Sequence, residues 1–204
     1  MIFLIRNASG RFMSKMSSSL RDLPLESLEG SRLFLSFWEA EDSEELLFLV
    51  DSSRESLQLW LPWVENFRSI SDAYAMIDSY RVQREMGRGG ALGIRRFADG
   101  ALIGGVILQW IDWKNCSSAL EYFLGSEFEG EGCATEAVGL VLDYLQNLGI
   151  HRVEISAAVE NVKSNALAKR LGFEWEGMAK DAEFLHGKYL HHNRYGKLLS
   201  RSQM

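Results

Sequence analysis

Hydrophobic positions along this chain of 204 residues change period several times, and each change marks an element. Ser31 to Phe37 alternates, with Leu33, Leu35 and Phe37 on one face, which predicts a first strand. Asp42 or Ser43 then opens a helix carrying Leu46, Leu47, Phe48 and Val50. A second short helix leads into the aromatic loop Trp60-Leu-Pro-Trp63. Ser71-Asp72 opens a further helix with Ala73, Met76, Ile77 and Tyr80 on one face, closing near Gly87. Residues 90–98, 101–111 and 117–124 read as three strands, the first two joined by an Asp99-Gly100 hairpin turn. After Gly132, apolar residues from Ala134 to Leu148 recur at helical spacing, with Glu136, Asp143, Gln146 and Asn147 on the other face and Gly149 as the stop. Val153, Ile155 and Ala157 alternate as a strand. Ser164 to Leu171 predict a short helix ended by Gly172, and 173–179 and 188–199 complete the series as strands. Strands joined partly by hairpins and partly by helical crossovers make a mixed α/β sheet.

Residues 1–24 break this patterning. Ser14, Ser17, Ser18 and Ser19 lie among Arg and Lys without either period, which predicts a flexible N-terminal extension ahead of one domain over 25–204. Composition narrows the class further. Apolar residues at 47% and charged residues at 25% are globular values. No run of about 18 apolar residues occurs, so no membrane partner is expected. Two cysteines, Cys116 and Cys133, build no disulfide framework and suit a reducing cytoplasm. With 22 Lys plus Arg against 28 Asp plus Glu, the formal charge is −6, which disfavours nucleic acid as a partner.

The junction Phe128-Glu-Gly-Glu-Gly-Cys-Ala134 carries the clearest chemistry. A Gly-x-Gly loop running into a helix aims several free backbone N–H groups and the positive end of the helix dipole at one spot, which suits phosphate. The third glycine of a dinucleotide fingerprint and the Gly-Lys-Ser/Thr of a P-loop are both missing.

Four segments occur in order: Glu121-Tyr-Phe-Leu124, Gly130 to Ala137, Glu160-Asn-Val-Lys-Ser164 and Leu171-Gly-Phe173. Together they resemble the acetyl-CoA-binding core of the GNAT N-acetyltransferases, narrowed to the RimJ/RimL type that acetylates ribosomal-protein N-termini. Leu59 to Trp63 and Ala182 to Tyr189 look like the flanking segments of the RimL branch, and the similarity runs from about Leu33 to Leu199. The resemblance implies the GNAT fold, a mixed central sheet flanked by helices with one splayed strand pair. It implies acetyl-CoA as cofactor, bound by the backbone of Tyr122, Phe123 and Leu124, by the loop Glu129, Gly130, Glu131, Gly132, Cys133 and Ala134, and by Asn161 and Ser164. It implies Ser164 as the acid for the departing thiolate and Glu183 as the base, with Trp60, Trp63 and Tyr189 toward the acceptor, no metal, and a homodimer as the assembly. The tyrosine acid of many GNAT enzymes is replaced here by Ala168.

Other roles stay open for these residues. Ser164 suits the N-cap of the helix ending at Leu171, Glu183 suits a solvated strand position, and the two tryptophans suit packing. His186, His191 and His192 lack the spacing of a metal set and read as surface histidines. Acceptors also stay open: a protein N-terminus, a small-molecule amine such as an aminoglycoside or polyamine, or none in a weak acyl-CoA-binding interaction module. That last reading comes from charge. Between Asn115 and His151 stand Glu121, Glu127, Glu129, Glu131, Glu136 and Asp143 and no Lys or Arg, so the acid excess falls on the segment expected to bind a polyanion. Unit charges about 4 Å apart repel by about 1 kcal/mol even in water, which predicts weakened cofactor binding unless other cations compensate.

Overall fold

In the computed structural model, residues 27–199 are described; the extension expected over 1–24 lies outside the described residues. The chain enters at β1 (Leu28–Glu29) and β2 (Leu33–Phe37), then crosses α1 (Ser43–Ser52), α2 (Arg54–Leu57) and α3 (Ile70–Glu85). The antiparallel strands β3 (Gly90–Arg96), β4 (Leu102–Asp112) and β5 (Ser117–Leu124) follow. Then come α4 (Cys133–Asn147), β6 (Arg152–Ala158), α5 (Val162–Arg170), β7 (Glu174–Leu185) and β8 (Lys188–Leu198). One eight-stranded sheet results among the described residues, in the order β1-β2-β3-β4-β5-β6-β8-β7. Its parallel pair, β5 with β6, is joined through α4, as a parallel connection requires.

Helices cover both faces. Against one, α4 buries Ala137, Val138, Val141, Leu142 and Leu145, joined by Leu167 and Ala168 of α5. Against the other, Leu46, Leu49 and Val50 of α1, Leu57 of α2 and Ala73 and Ile77 of α3 pack with Trp38, Ile107 and Phe123. This explains why β4 reads as an unbroken apolar run: Leu102 to Leu108 is buried on both sides. Gly104 and Gly105 sit where a Cβ would lie 2.3 Å from the Phe123 carbonyl and 2.7 Å from the Trp38 ring, so only glycine admits this close packing.

Three expected boundaries move. Helix α3 starts earlier than Ser71-Asp72 suggests: Ser69 is extended, its hydroxyl accepts the Asp72 N–H, and Asp72 accepts the Ser69 N–H at 2.8 Å, a reciprocal capping box. Helix α5 is capped by Asn161, not Ser164; the Asn161 side chain accepts the Ser164 N–H at 3.1 Å, which puts Ser164 inside the first turn. Strand β7 runs on to Leu185 because its pairing with β8 resumes at Glu183 after an irregularity that follows Ala179.

Candidate active site

The parallel pairing of β5 with β6 stops at Leu120 opposite Ile155. Beyond it β5 continues along β4 through Glu121 to Leu124, while β6 continues along β8 through Ser156 to Ala158. A gap therefore opens in the sheet. The backbone edge of Tyr122, Phe123 and Leu124 that faces β6 has no strand partner among the described residues.

At one mouth of the gap stands the glycine loop. Gly130 and Gly132 have φ of 83° and 82°, the left-handed region that glycine enters without strain. A Cβ on Gly130 would meet nothing within 4 Å, so the loop leaves open space. Gly132 is the N-cap of α4 and offers no side-chain cap, which leaves the N–H groups of the first turn without intrahelical acceptors. Cys133 begins that turn and buries its side chain in the core, as packing requires.

Cations reach this acidic segment from elsewhere in the chain. Lys163 pairs with Glu129. The Arg32 guanidinium donates to the Glu131 carbonyl at 2.7 Å and binds Glu136 at 3.1 Å. Arg96 lies over the Phe128 ring and feels the Glu131 charge, and Arg170 donates to the Thr135 hydroxyl at 3.0 Å. Of the bases nearest in sequence, Lys163 and Arg170 take part; Arg32, between β1 and β2, and Arg96, at the end of β3, come from the antiparallel half of the sheet. Open glycine backbone, unspent helix-terminal N–H groups and a ring of cations together fit a phosphate-bearing cofactor.

On the α4–α5 side of the gap the Tyr122 hydroxyl lies 2.8 Å from the Ser164 hydroxyl. Burial pushes the Tyr122 phenol above its ordinary value, against the Ser164 hydrogen bond and the Arg170 charge, so it stays a neutral O–H. The buried Asn165 anchors this corner. Its amide donates to the carbonyls of Ala158 and Asn161 at 2.8 and 2.7 Å, while its oxygen accepts from Asn193 and from the Tyr195 hydroxyl at 2.7 and 2.8 Å. Every polar capacity of this buried side chain is filled, which pins the start of α5 to β6 and β8.

On the opposite side, facing α1–α3, the Glu183 carboxylate lies 3.1 Å from His192 Nε2, and His192 Nδ1 lies 3.1 Å from the Ser156 hydroxyl. His192 is thus no surface histidine: its side chain is 17% exposed. His186 instead ties the β7–β8 turn to the Gln58 carbonyl at 2.7 Å, and His191 accepts the Asp181 N–H at 3.0 Å. Glu121, beside Phe123 on this same face, accepts from the Gln109 amide at 2.8 Å and feels the Glu183 charge. Trp63 packs edge-on to Phe67 and Phe123; its buried indole N–H has no hydrogen-bond partner among the described residues, although it lies close enough to Glu121 to favour that charge. Trp60 packs on Ala158, Leu185 and Leu190. Tyr189 packs edge-on to Phe184 and stays 63% exposed.

The expected residues thus divide between two sides of one gap, with Ser164 and Tyr122 on one and Glu183, Trp60 and Trp63 on the other. Residues 32–174 match the acetyltransferase (GNAT) domain model. The chain belongs to the GNAT acetyltransferase family. It is 35% identical, over 80% of its length and 88% of the relative's, to the putative ribosomal N-acetyltransferase YdaF of Bacillus subtilis. Among solved structures, the microcin C7 self-immunity acetyltransferase MccE in complex with acetyl-CoA and AMP superposes with a TM-score of 0.79 at 27% identity, covering 83% of this chain and 94% of that one. RimL, the ribosomal L7/L12 alpha-N-protein acetyltransferase in complex with coenzyme A, superposes at 0.83 and 24% identity, covering 87% and 100%, and shows the shared fold. As a GNAT enzyme the chain is an acetyl-CoA-dependent N-acetyltransferase.

Sequence reasoning missed four features here: Asn165, Gln109, the part-buried pairing of His192 with Glu183 and the Tyr122 hydroxyl. Asn165 carried a signal, a polar residue on the buried face of a short helix. Gln109 and His192 depend on cross-strand register and on irregularities in β4 and β7, and the Tyr122 hydroxyl depends on how α5 packs against β5; none of these leaves a trace in periodicity.

Proposed function

We propose that this enzyme acetylates the N-terminal α-amine of a protein, with a ribosomal protein as the acceptor. The observation that carries the reading is the gap between β5 and β6, which has phosphate-suited backbone at one mouth and a carboxylate at the other. Acetyl-CoA supplies an acetyl group activated as a thioester. The loop Glu129 to Ala134 would hold its phosphates through backbone N–H groups, and Tyr122 to Leu124 with Asn161 would hold the pantetheine arm. Glu183 takes the proton of the incoming amine. Ser164, steadied by the Tyr122 hydroxyl, would serve as the acid toward the departing thiolate, which needs little protonation to leave because its thiol has a pKa of about 8.5. An α-amine, with pKa of about 8 against roughly 10.4 for lysine, suits a carboxylate base. Trp60 and Trp63 wall the acceptor side, and Tyr189 stands at its rim. The names of YdaF and RimL support a ribosomal acceptor.

The proposed setting is the cytoplasm, where free Cys116 and Cys133 stay reduced, and the proposed assembly is a homodimer. Light scattering checks the assembly; a single-chain mass removes it.

Acetyl transfer to a panel of N-terminal peptides, aminoglycosides and polyamines tests the acceptor. Peptides with a free α-amine are expected to give the highest kcat/KM; a preference for small amines overturns the reading. Ser164→Ala and Glu183→Gln are each expected to lower kcat by about 10²-fold or more with the KM for acetyl-CoA preserved. Near-normal turnover in either removes that residue from its role.

A further inference from the structure

We propose that His192 is a positioning residue that holds one oxygen of Glu183 so that the other faces the acceptor amine, with Ser156 bonding the far ring nitrogen. The proposal deepens the reading of Glu183 as the base and rests on it.

The three side chains form a diagonal row across three adjacent strands. Glu183 of β7 pairs opposite Leu190, and Ser156 of β6 pairs opposite Arg194. His192 stands two residues from each of those partners, on the same face of β8. The odd-numbered neighbours Val153, Ile155 and Tyr195 point into the core under α4 and α5, which leaves the row on the opposite face, beside the gap. The chain therefore places the row by sheet geometry rather than by flexible reach.

Hydrogen-bond chemistry fixes the ring. An ionised carboxylate only accepts, so the 3.1 Å contact to Glu183 Oε2 requires a proton on His192 Nε2. In the neutral ring Nδ1 then keeps its lone pair, and the Ser156 hydroxyl donates to it across 3.1 Å. The other neutral tautomer would turn a lone pair toward the carboxylate. With Oε2 engaged, Oε1 is left to take the amine proton; His192 keeps its own Nε2 proton throughout.

This pairing answers a weakness of the strand that carries the base. The register of β7 shifts between Ala179 and Glu183, and Asp181 within that stretch has φ of 49°. The irregularity ends at Glu183, so regular cross-strand neighbours flank it on one side only and do less to fix its rotamer on the other. His192 supplies the missing restraint.

Amide substitutions separate the two ring nitrogens. In His192→Gln the side-chain nitrogen overlays Nε2, whereas in His192→Asn the shorter amide overlays Nδ1. His192→Ala and His192→Asn are expected to lower kcat roughly 10- to 100-fold while the KM for acetyl-CoA stays unchanged, the loss that misplacing a catalytic group by about 1 Å produces. His192→Gln is expected to recover most of that loss. Equal loss in the Gln and Asn variants, or full kcat in the Ala variant, overturns the proposal. Nitrogen-15 NMR of the wild-type ring gives a readout apart from turnover: the Nε2–H tautomer is expected, and a ring protonated on Nδ1 alone overturns the proposal. Glu183→Gln in the same assay keeps the two ideas distinguishable. If Glu183→Gln turns over normally, the base assignment fails; if it is inactive while His192→Ala is fully active, only the role of His192 fails.

Discussion

Burial pushes the Glu121 carboxyl above the ordinary glutamate value; the Gln109 amide and the Trp63 indole oppose that shift, and the Glu183 charge adds to it. A carboxyl raised in the folded state contributes stability that is fully present below its unfolded value, near 4.5, and lost as pH rises through the folded one. Glu121 therefore weakens the fold at neutral pH. Glu121→Gln, which still accepts from Gln109, is expected to raise Tm at pH 7, with the gain vanishing below about pH 4.5. Because Glu121 and Glu183 share the face of the gap proposed for the acceptor, the same variant is expected to raise the acceptor KM several-fold, an ammonium having lost one of two carboxylates. A thermal shift series across pH and steady-state kinetics check both halves. Single residues are unevenly legible in the sequence. Gly130 and Gly132 stand out because a left-handed turn before a helix has a residue-type signature. Ser164 suits a cap because serine favours caps, but Asn161 holds that place and frees the serine hydroxyl for Tyr122.

At the scale of elements, α4 couples packing to binding. Its buried face is legible because its core residues recur at helical spacing, and Leu145 is fully buried. Leu145→Ala is expected to cost about 2–5 kcal/mol in chemical denaturation without changing either KM in the remaining folded enzyme. Gly132→Ala places a Cβ at φ of 82°, a strain of roughly 1–2 kcal/mol, and shifts the turn that presents the first N–H groups of α4. The expected kinetic result is a several-fold rise in KM for acetyl-CoA with acceptor KM unchanged. Strand β7 reads too short from its sequence because its hydrophobic alternation fails across the bulge, and half-exposed edge strands carry little pattern. The element that presents the proposed base is thus only partly legible, and β1 (Leu28–Glu29), two residues long, leaves no periodic trace at all.

For the molecule as a whole, charge is the useful measure. The acid excess on the segment from Cys116 to Ile150 predicts poor cofactor binding, but the fold brings Arg32, Arg96, Lys163 and Arg170 to its rim. Lys163 is highly exposed, so its pair with Glu129 contributes little to stability. Lys163→Glu is accordingly expected to leave Tm unchanged while raising the KM for acetyl-CoA, and added salt should shrink the difference between variant and wild type. A KM equal to wild type at low salt would show that Lys163 plays no part in compensation.

The sequence by itself determined the class of fold, the order of its elements, the glycine loop and the family resemblance, because local periodicity and turn chemistry act over a few residues and are written in consecutive positions. Tertiary structure alone decided where β5 and β6 part, which cations meet the acidic loop, and that His192 lies between Glu183 and Ser156. Those arrangements depend on strand register and on bulges, and they join residues such as Arg32 and Glu136 that lie far apart along the chain. A shift of one residue in register would reverse every side chain on a strand, and periodicity cannot record which register wins.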